Sequence, residues 1–176
     1  MRIAIVGAGA MGLRVAEELL ASSPGLELLA VDASSDSVAN FKKALGNDRV
    51  KGAIEDANNI DQLAASLKGV KVVVNAAQYD VNRLVMKAAL KADAHYVDLG
   101  GMFHETRRQL ELHGDFESAG LTAIPGMGAA PGVTNVLAAY ACSDLEQVHS
   151  VEASFGASVE DHEGPSQFVP PYSLRT

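Results

Sequence analysis

A doubly wound α/β fold on a mostly parallel sheet is predicted by three features of this sequence. Short apolar, β-branched runs alternate with stretches whose apolar residues recur at helical spacing. The runs are nearly continuous in apolar character, as strands covered on both faces are. Glycine-rich turns fall where a run ends and a helical stretch begins, the arrangement of parallel strands joined by right-handed crossovers.

The first strand covers residues 2–6 and stops at Gly7. Met11, Val15, Leu19 and Leu20 mark the first helix, closed by the breaker cluster Ser22-Ser23-Pro24-Gly25. Residues 26–31 form a second strand; Val38, Phe41 and Leu45 then mark a helix that ends at Gly46-Asn47-Asp48. A weaker strand spans 50–54. Asn59, with Gln62 three residues on, resembles a capping box for a third helix that turns Ile60, Leu63, Ala64 and Leu67 inward and stops at Gly69. The strongest strand, 70–76, precedes a helix with Val81, Leu84, Val85, Ala88 and Ala89 on one face. Residues 95–99 form the next strand, cut by Gly100-Gly101; Leu112, Phe116 and Ala119 fit one helix ending at Gly120, and 121–124 a further strand. Residues 133–141 read as a helix with Pro131 in its first turn, and 148–155 as a last strand. The chain thus divides into a nucleotide-binding domain over 1–155 and a proline-interrupted segment over 156–176. That segment reads as a linker or the start of a further domain.

Composition narrows the function classes. A chain of 176 residues suits one domain with a substantial core, and 48% apolar with 20% charged residues is ordinary for a globular protein. A net charge of −8, with no Lys/Arg cluster, argues against a nucleic-acid partner. Cys142 is the single cysteine, which excludes an intrachain disulfide; among alanines it is expected to be a small buried hydrophobe. The five histidines lack metal-ligand spacing, so no metal is expected. No apolar run approaches bilayer-spanning length and no signal-peptide pattern occurs, so the expected setting is cytoplasmic, with no membrane partner.

Gly7-Ala8-Gly9-Ala10-Met11-Gly12 matches G-x-G-x-x-G between a predicted strand and a predicted helix, the context that gives the pattern meaning. Gly7 makes the tight turn, Gly9 admits a pyrophosphate close to the backbone, and Gly12 lets helix and strand pack closely. The amides around Ala10 and Met11, at the helix N-terminus, offer free N–H groups and a partial positive charge to the phosphates. Asp32 lies 20 residues past Gly12, at the end of the second strand, where a carboxylate accepts both hydroxyls of an adenosine ribose. It would repel a 2′-phosphate, and the following Ala33-Ser34-Ser35 supplies no arginine, so NAD is favoured over NADP. The alternative is that Asp32 only caps the next helix, a job Ser34 or Ser35 can also do.

Ligands of open α/β sheets lie beyond the carboxyl ends of the strands. Asn75, Ala76, Ala77, Gln78 and Tyr79 follow the strongest strand and are expected to face the diphosphate or nicotinamide; for Ala77, plain helix packing is an equal alternative. The loop from Gly126 through Met127, Gly128, Pro131, Gly132 and Thr134 falls at the same edge. Asp98 ends its strand just before Gly100-Gly101, and is either a site acid or a turn residue.

Three segments behind the nucleotide turn, Val72-Val-Val-Asn-Ala-Ala77, Tyr96-Val-Asp-Leu-Gly-Gly101 and Ile124-Pro-Gly-Met-Gly-Ala-Ala-Pro-Gly132, resemble the saccharopine dehydrogenase-like family in that order. The family includes saccharopine reductases, lysine dehydrogenases and carboxynorspermidine dehydrogenases. The resemblance covers essentially the whole chain and implies a Rossmann domain. It also implies an NAD(P)-dependent enzyme that moves a hydride between nicotinamide and a C–N bond of an amino acid or its adduct. It favours a site role for Asp98, orienting a substrate ammonium or relaying a proton, with Tyr79 as the second catalytic candidate. It further implies a substrate and dimerisation domain beyond Thr176, an amino-acid substrate and a full-length homodimer. A non-catalytic NAD-binding or sensing module is the alternative function.

Overall fold

The computed structural model describes residues 1–154 and Gly156. Six strands form one parallel sheet in the order β3-β2-β1-β4-β5-β6. They are β1 (Arg2–Val6), β2 (Glu27–Asp32), β3 (Val50–Ile54), β4 (Val72–Asn75), β5 (His95–Asp98) and β6 (Ala123–Ile124). The helices are α1 (Ala10–Ser22), α2 (Ser35–Leu45), α3 (Ile60–Ser66), α4 (Asn82–Lys91), α5 (Phe103–Leu110), α6 (His113–Ser118) and α7 (Val133–Cys142). A 3-10 turn (Tyr79–Val81) leads into α4.

The sheet separates two apolar layers, as the continuous apolar strands require. On one face Ile3, Ile5, Leu28 and Ala30 meet Ala16 and Leu20 of α1 and Phe41 of α2. On the other, Ala4, Val6, Leu29, Val31 and Val73 meet Leu63 of α3, Val85 and Ala89 of α4, and Phe116 of α6. Strand order reverses between β1 and β4, whose registers pair Val6 with Asn75, so their carboxyl ends form the topological switch point of the sheet.

Several expectations are corrected. The region before Gly120 holds two helices, α5 and α6, where periodicity showed one. The buried face of α5 carries Glu105 and Gln109, so it leaves no apolar stripe. Residues 148–154 form no strand, and Val148 and Val151 are exposed; Phe155 lies outside the described residues. A strand needs an edge to pair with, and β6 is only two residues long. Pro131 precedes α7, whose N-cap is Gly132, and follows a cis peptide bond. The predicted segment 156–176 lies, apart from Gly156, outside the described residues.

The last helix differs from the others. No residue of α7 is buried, and Val133, Val136, Leu137 and Tyr140 are all exposed. Cys142, expected to be buried, is half-buried there because none of the described residues packs over the helix. Among the described residues no helix is long and apolar enough to cross a membrane, and no group of three or more His, Cys, Asp or Glu is placed to hold a metal ion.

Candidate dinucleotide site

The turn after β1 is held from two sides. The Gly7 N–H continues the ladder to Val31 O at 2.8 Å, and the Ala8 N–H donates to Asp32 Oδ2 at 2.9 Å. Gly7 has φ +98°, and a Cβ there would lie 2.6 Å from Ala77 N, so the loop after β4 leans directly on this turn. A Cβ on Gly12 would fall 2.0 Å from Gly7 O, which closes α1 onto the turn. Gly9 is the opposite case: a Cβ there meets nothing within 4 Å.

That open space faces an unfinished helix end. The first donor within α1 is the Leu13 N–H, to Gly9 O at 2.9 Å. The amides of Gly9, Ala10, Met11 and Gly12 therefore have no acceptor among the described residues. No side chain caps α1 and no acid lies in its first turn. By contrast α2 is capped by Ser34, which accepts the Ser37 N–H at 3.2 Å, and α3 by Asn59, which accepts the Gln62 N–H at 3.2 Å; each also has an acid in its first turn. An exposed helix N-terminus beside a glycine free of neighbours fits a pyrophosphate, whose oxygens satisfy the free amides.

Asp32 is half-buried at the end of β2. One oxygen takes the Ala8 N–H and the other the Ser34 N–H, each at 2.9 Å, which leaves acceptor capacity on both for a ribose diol. It does not cap α2, since Ser34 does so. Ala33, Ser34, Ser35 and Asp36 are exposed beside it and bring no cation.

The β4–β6 half is built from buried polar groups. Asn75 is 1% exposed; its Nδ2 donates to Asn82 Oδ1 at 2.8 Å and lies 3.4 Å from the Tyr96 hydroxyl, and its Oδ1 accepts the Ala77 N–H at 3.2 Å. The Ala76 N–H donates to Val6 O at 2.8 Å, extending the ladder. Tyr79 is half-buried, and a Cβ on Gly101 would lie 2.5 Å from its Cβ. The Asn75 side chain thus turns inward and shapes the loop, while Gln78 is exposed.

Asp98 is fully buried, and four donors reach its carboxylate. The Gly100 and Gly126 N–H groups donate to Oδ1, each at 2.8 Å; Gln109 Nε2 donates to Oδ2 at 2.6 Å and the Tyr96 hydroxyl at 2.9 Å. The Met127 N–H adds a bond to Asp98 O at 2.7 Å. Burial, then the adjacent Asp98 charge, pushes the Tyr96 phenol far above its usual range, so it remains a donor. Of the two roles open in sequence for Asp98, the turn-holding one matches this geometry. Gly126 has its N–H committed to Asp98, whereas Met127 beyond it is exposed. His104 is exposed on α5.

Sequence reasoning overlooked Gln109, Tyr96 and Asn82 as site residues. Tyr96 had a signal: it sits two residues before Asp98 on a strand, and so on the same face. Gln109 had none, because its meeting with Asp98 depends on how α5 packs.

A parallel sheet of this order, with free amides after its first strand and an acid at the end of its second, defines a dinucleotide-binding domain. Residues 3–124 match the family described as "Saccharopine dehydrogenase NADP binding domain", and the chain belongs to that family. It is 28% identical over 160 residues to a carboxyaminopropylagmatine dehydrogenase of Synechocystis sp., covering 86% of this chain and 40% of that protein. It is 29% identical over 168 residues to a carboxynorspermidine synthase of Vibrio alginolyticus, covering 82% of this chain and 40% of that protein. The chain thus spans about two fifths of the length of these relatives. In fold it resembles apo saccharopine dehydrogenase (L-Glu forming) of Saccharomyces cerevisiae, with a TM-score of 0.71 at 19% identity, over 82% of this chain and 31% of that one. The chain is an NAD(P)-binding domain; of these two curated relatives, one is named a dehydrogenase and the other a synthase.

Proposed function

We propose that this domain binds NAD in preference to NADP. In this reading it serves an oxidoreductase that moves a hydride between nicotinamide and a C–N bond of an amino acid or its adduct. The observation that carries the cofactor choice is Asp32: a half-buried carboxylate, oriented by two backbone amides, with Asp36 and no cation beside it. A diol suits that acceptor and a 2′-phosphate is repelled by it. The family's name carries NADP, so this chain's own residues, rather than its kinship, support NAD.

The free amides of α1 would hold the pyrophosphate, Asp32 the adenosine ribose, and the edge of β4–β6 the second mononucleotide. The nicotinamide supplies or accepts the hydride when bound; the chain positions it and keeps water away. The names of the relatives, a carboxyaminopropylagmatine dehydrogenase and a carboxynorspermidine synthase, support an amine-bearing amino acid as the substrate class. The apolar face left open on α7 supports a further layer of protein over it in the whole enzyme, which we take to be a homodimer.

Calorimetric titration with NADH and NADPH tests the cofactor reading. NADH is expected to bind at least about tenfold more tightly, and Asp32→Ala to weaken NADH by about 10- to 100-fold, the worth of hydrogen bonds to a charged group. Equal binding of the two cofactors, or an unchanged NADH affinity in the variant, refutes it. A thermal-shift and turnover screen of the full-length protein with lysine, saccharopine and polyamine precursors, in the presence of NAD, tests the chemistry. NADH binding without turnover of any amine would leave a sensing module instead.

A further inference from the structure

We infer that Asp98 is a positioning residue for the nicotinamide half of the site, its buried carboxylate holding the loops after β5 and β6 in the places where the ring would lie. The inference rests on the dinucleotide reading above. In a doubly wound sheet each half takes one mononucleotide. The β1–β3 half carries the pyrophosphate turn and the ribose acid, so the second mononucleotide falls to the carboxyl ends of β4, β5 and β6.

At that edge, Asp98 Oδ1 gathers the Gly100 and Gly126 amides, one from each loop. Oδ2 takes Gln109 from α5 and Tyr96 from β5 itself. Asn82 Nδ2 donates to Gly100 O at 3.3 Å, and Asn75 joins Asn82 to the Ala77 amide. Three loops from three strands are thereby tied into one buried network with a single charge at its centre. Among the described residues no cation pairs with that charge; four donors compensate it, and donors to a carboxylate are stronger than neutral ones. The carboxylate is sealed from solvent and so acts through the loops, not on the substrate. The two loops also interlock: a Cβ on Gly100 would lie 2.6 Å from Pro131 Cγ.

The test compares NADH with ADP-ribose, which lacks the nicotinamide ring, on the whole chain. Asp98→Asn keeps an acceptor for Gly100 and Gly126 but sets an NH2 group against Tyr96 and Gln109. It is expected to weaken NADH about tenfold, leave ADP-ribose within about twofold, and reduce the blue shift of bound NADH fluorescence. If that variant does not fold, Gln109→Met removes one donor at similar volume, and is expected to give the same selectivity at about threefold. Equal weakening of both ligands, or no weakening of either, overturns the positioning role. Failure of the unaltered chain to bind either ligand overturns the dinucleotide reading, and this inference with it.

Discussion

In the β1–β3 half of the sheet, the carboxyl edge is made of groups left open. Gly9 has empty space where a side chain would be, α1 begins with amides that have no acceptor among the described residues, and Asp32 keeps spare acceptor capacity. In the β4–β6 half, the polar groups are spent on one another: Asn75, Asn82, Tyr96, Asp98 and Gln109 are all buried and mutually bonded. The first half is prepared to touch a ligand with its backbone. The second holds loops still by side chains that the ligand would never reach. Substitutions should therefore separate binding from stability in the first half and join them in the second.

The largest effect is expected from Asp98→Ala, which leaves four donors without their acceptor. We expect about 3–5 kcal/mol of lost stability, measured by urea denaturation. A loss under about 1 kcal/mol would show that water or a relaxed loop replaces the carboxylate, and the contrast would fail. Next comes Gly12→Ala, the exception in the first half because its position is closed rather than open. Its Cβ would collide with Gly7 O, a backbone atom, and so joins stability to binding. Its expected cost is about 2–3 kcal/mol, with NADH affinity falling as the turn shifts. Gly9→Ala sharpens the comparison most: its φ of −88° suits alanine and the space is open, so the melting temperature should hardly move. NADH should nevertheless bind about tenfold more weakly, because the methyl stands where the pyrophosphate approaches. The smallest effect belongs to Asn59→Ala at the start of α3, a loss of about 1 kcal/mol with no change in NADH affinity. A change in affinity there would mean that helix capping and cofactor binding are not separable in this fold.

The legibility of the two halves follows the same division. The β1–α1–β2 unit is continuous in sequence, and its glycines and Asp32 keep a spacing set by local geometry, so the pattern alone located them. Ser34 beside Asp32 was legible as a capping residue, and it does cap α2. The β5–β6 region misled because its signals are not local. Helix α5 buries Glu105 and Gln109 and shows no apolar stripe, so it was missed, and the run at 148–154 looks like a strand but has no edge long enough to join.

The amino-acid sequence by itself determined the alternation of strands and helices, the turn at Gly7–Gly12 and the acid at Asp32. These depend on periodicity and on contacts between residues close along the chain. Only the tertiary structure decided that Asp98 is sealed rather than open, and that its partners are Tyr96, Gln109, Gly100 and Gly126. A carboxylate at a strand end reads the same in sequence whether it faces a cleft or a closed loop. What separates the two is which donors the packing of α5 and the loop after β6 bring to it.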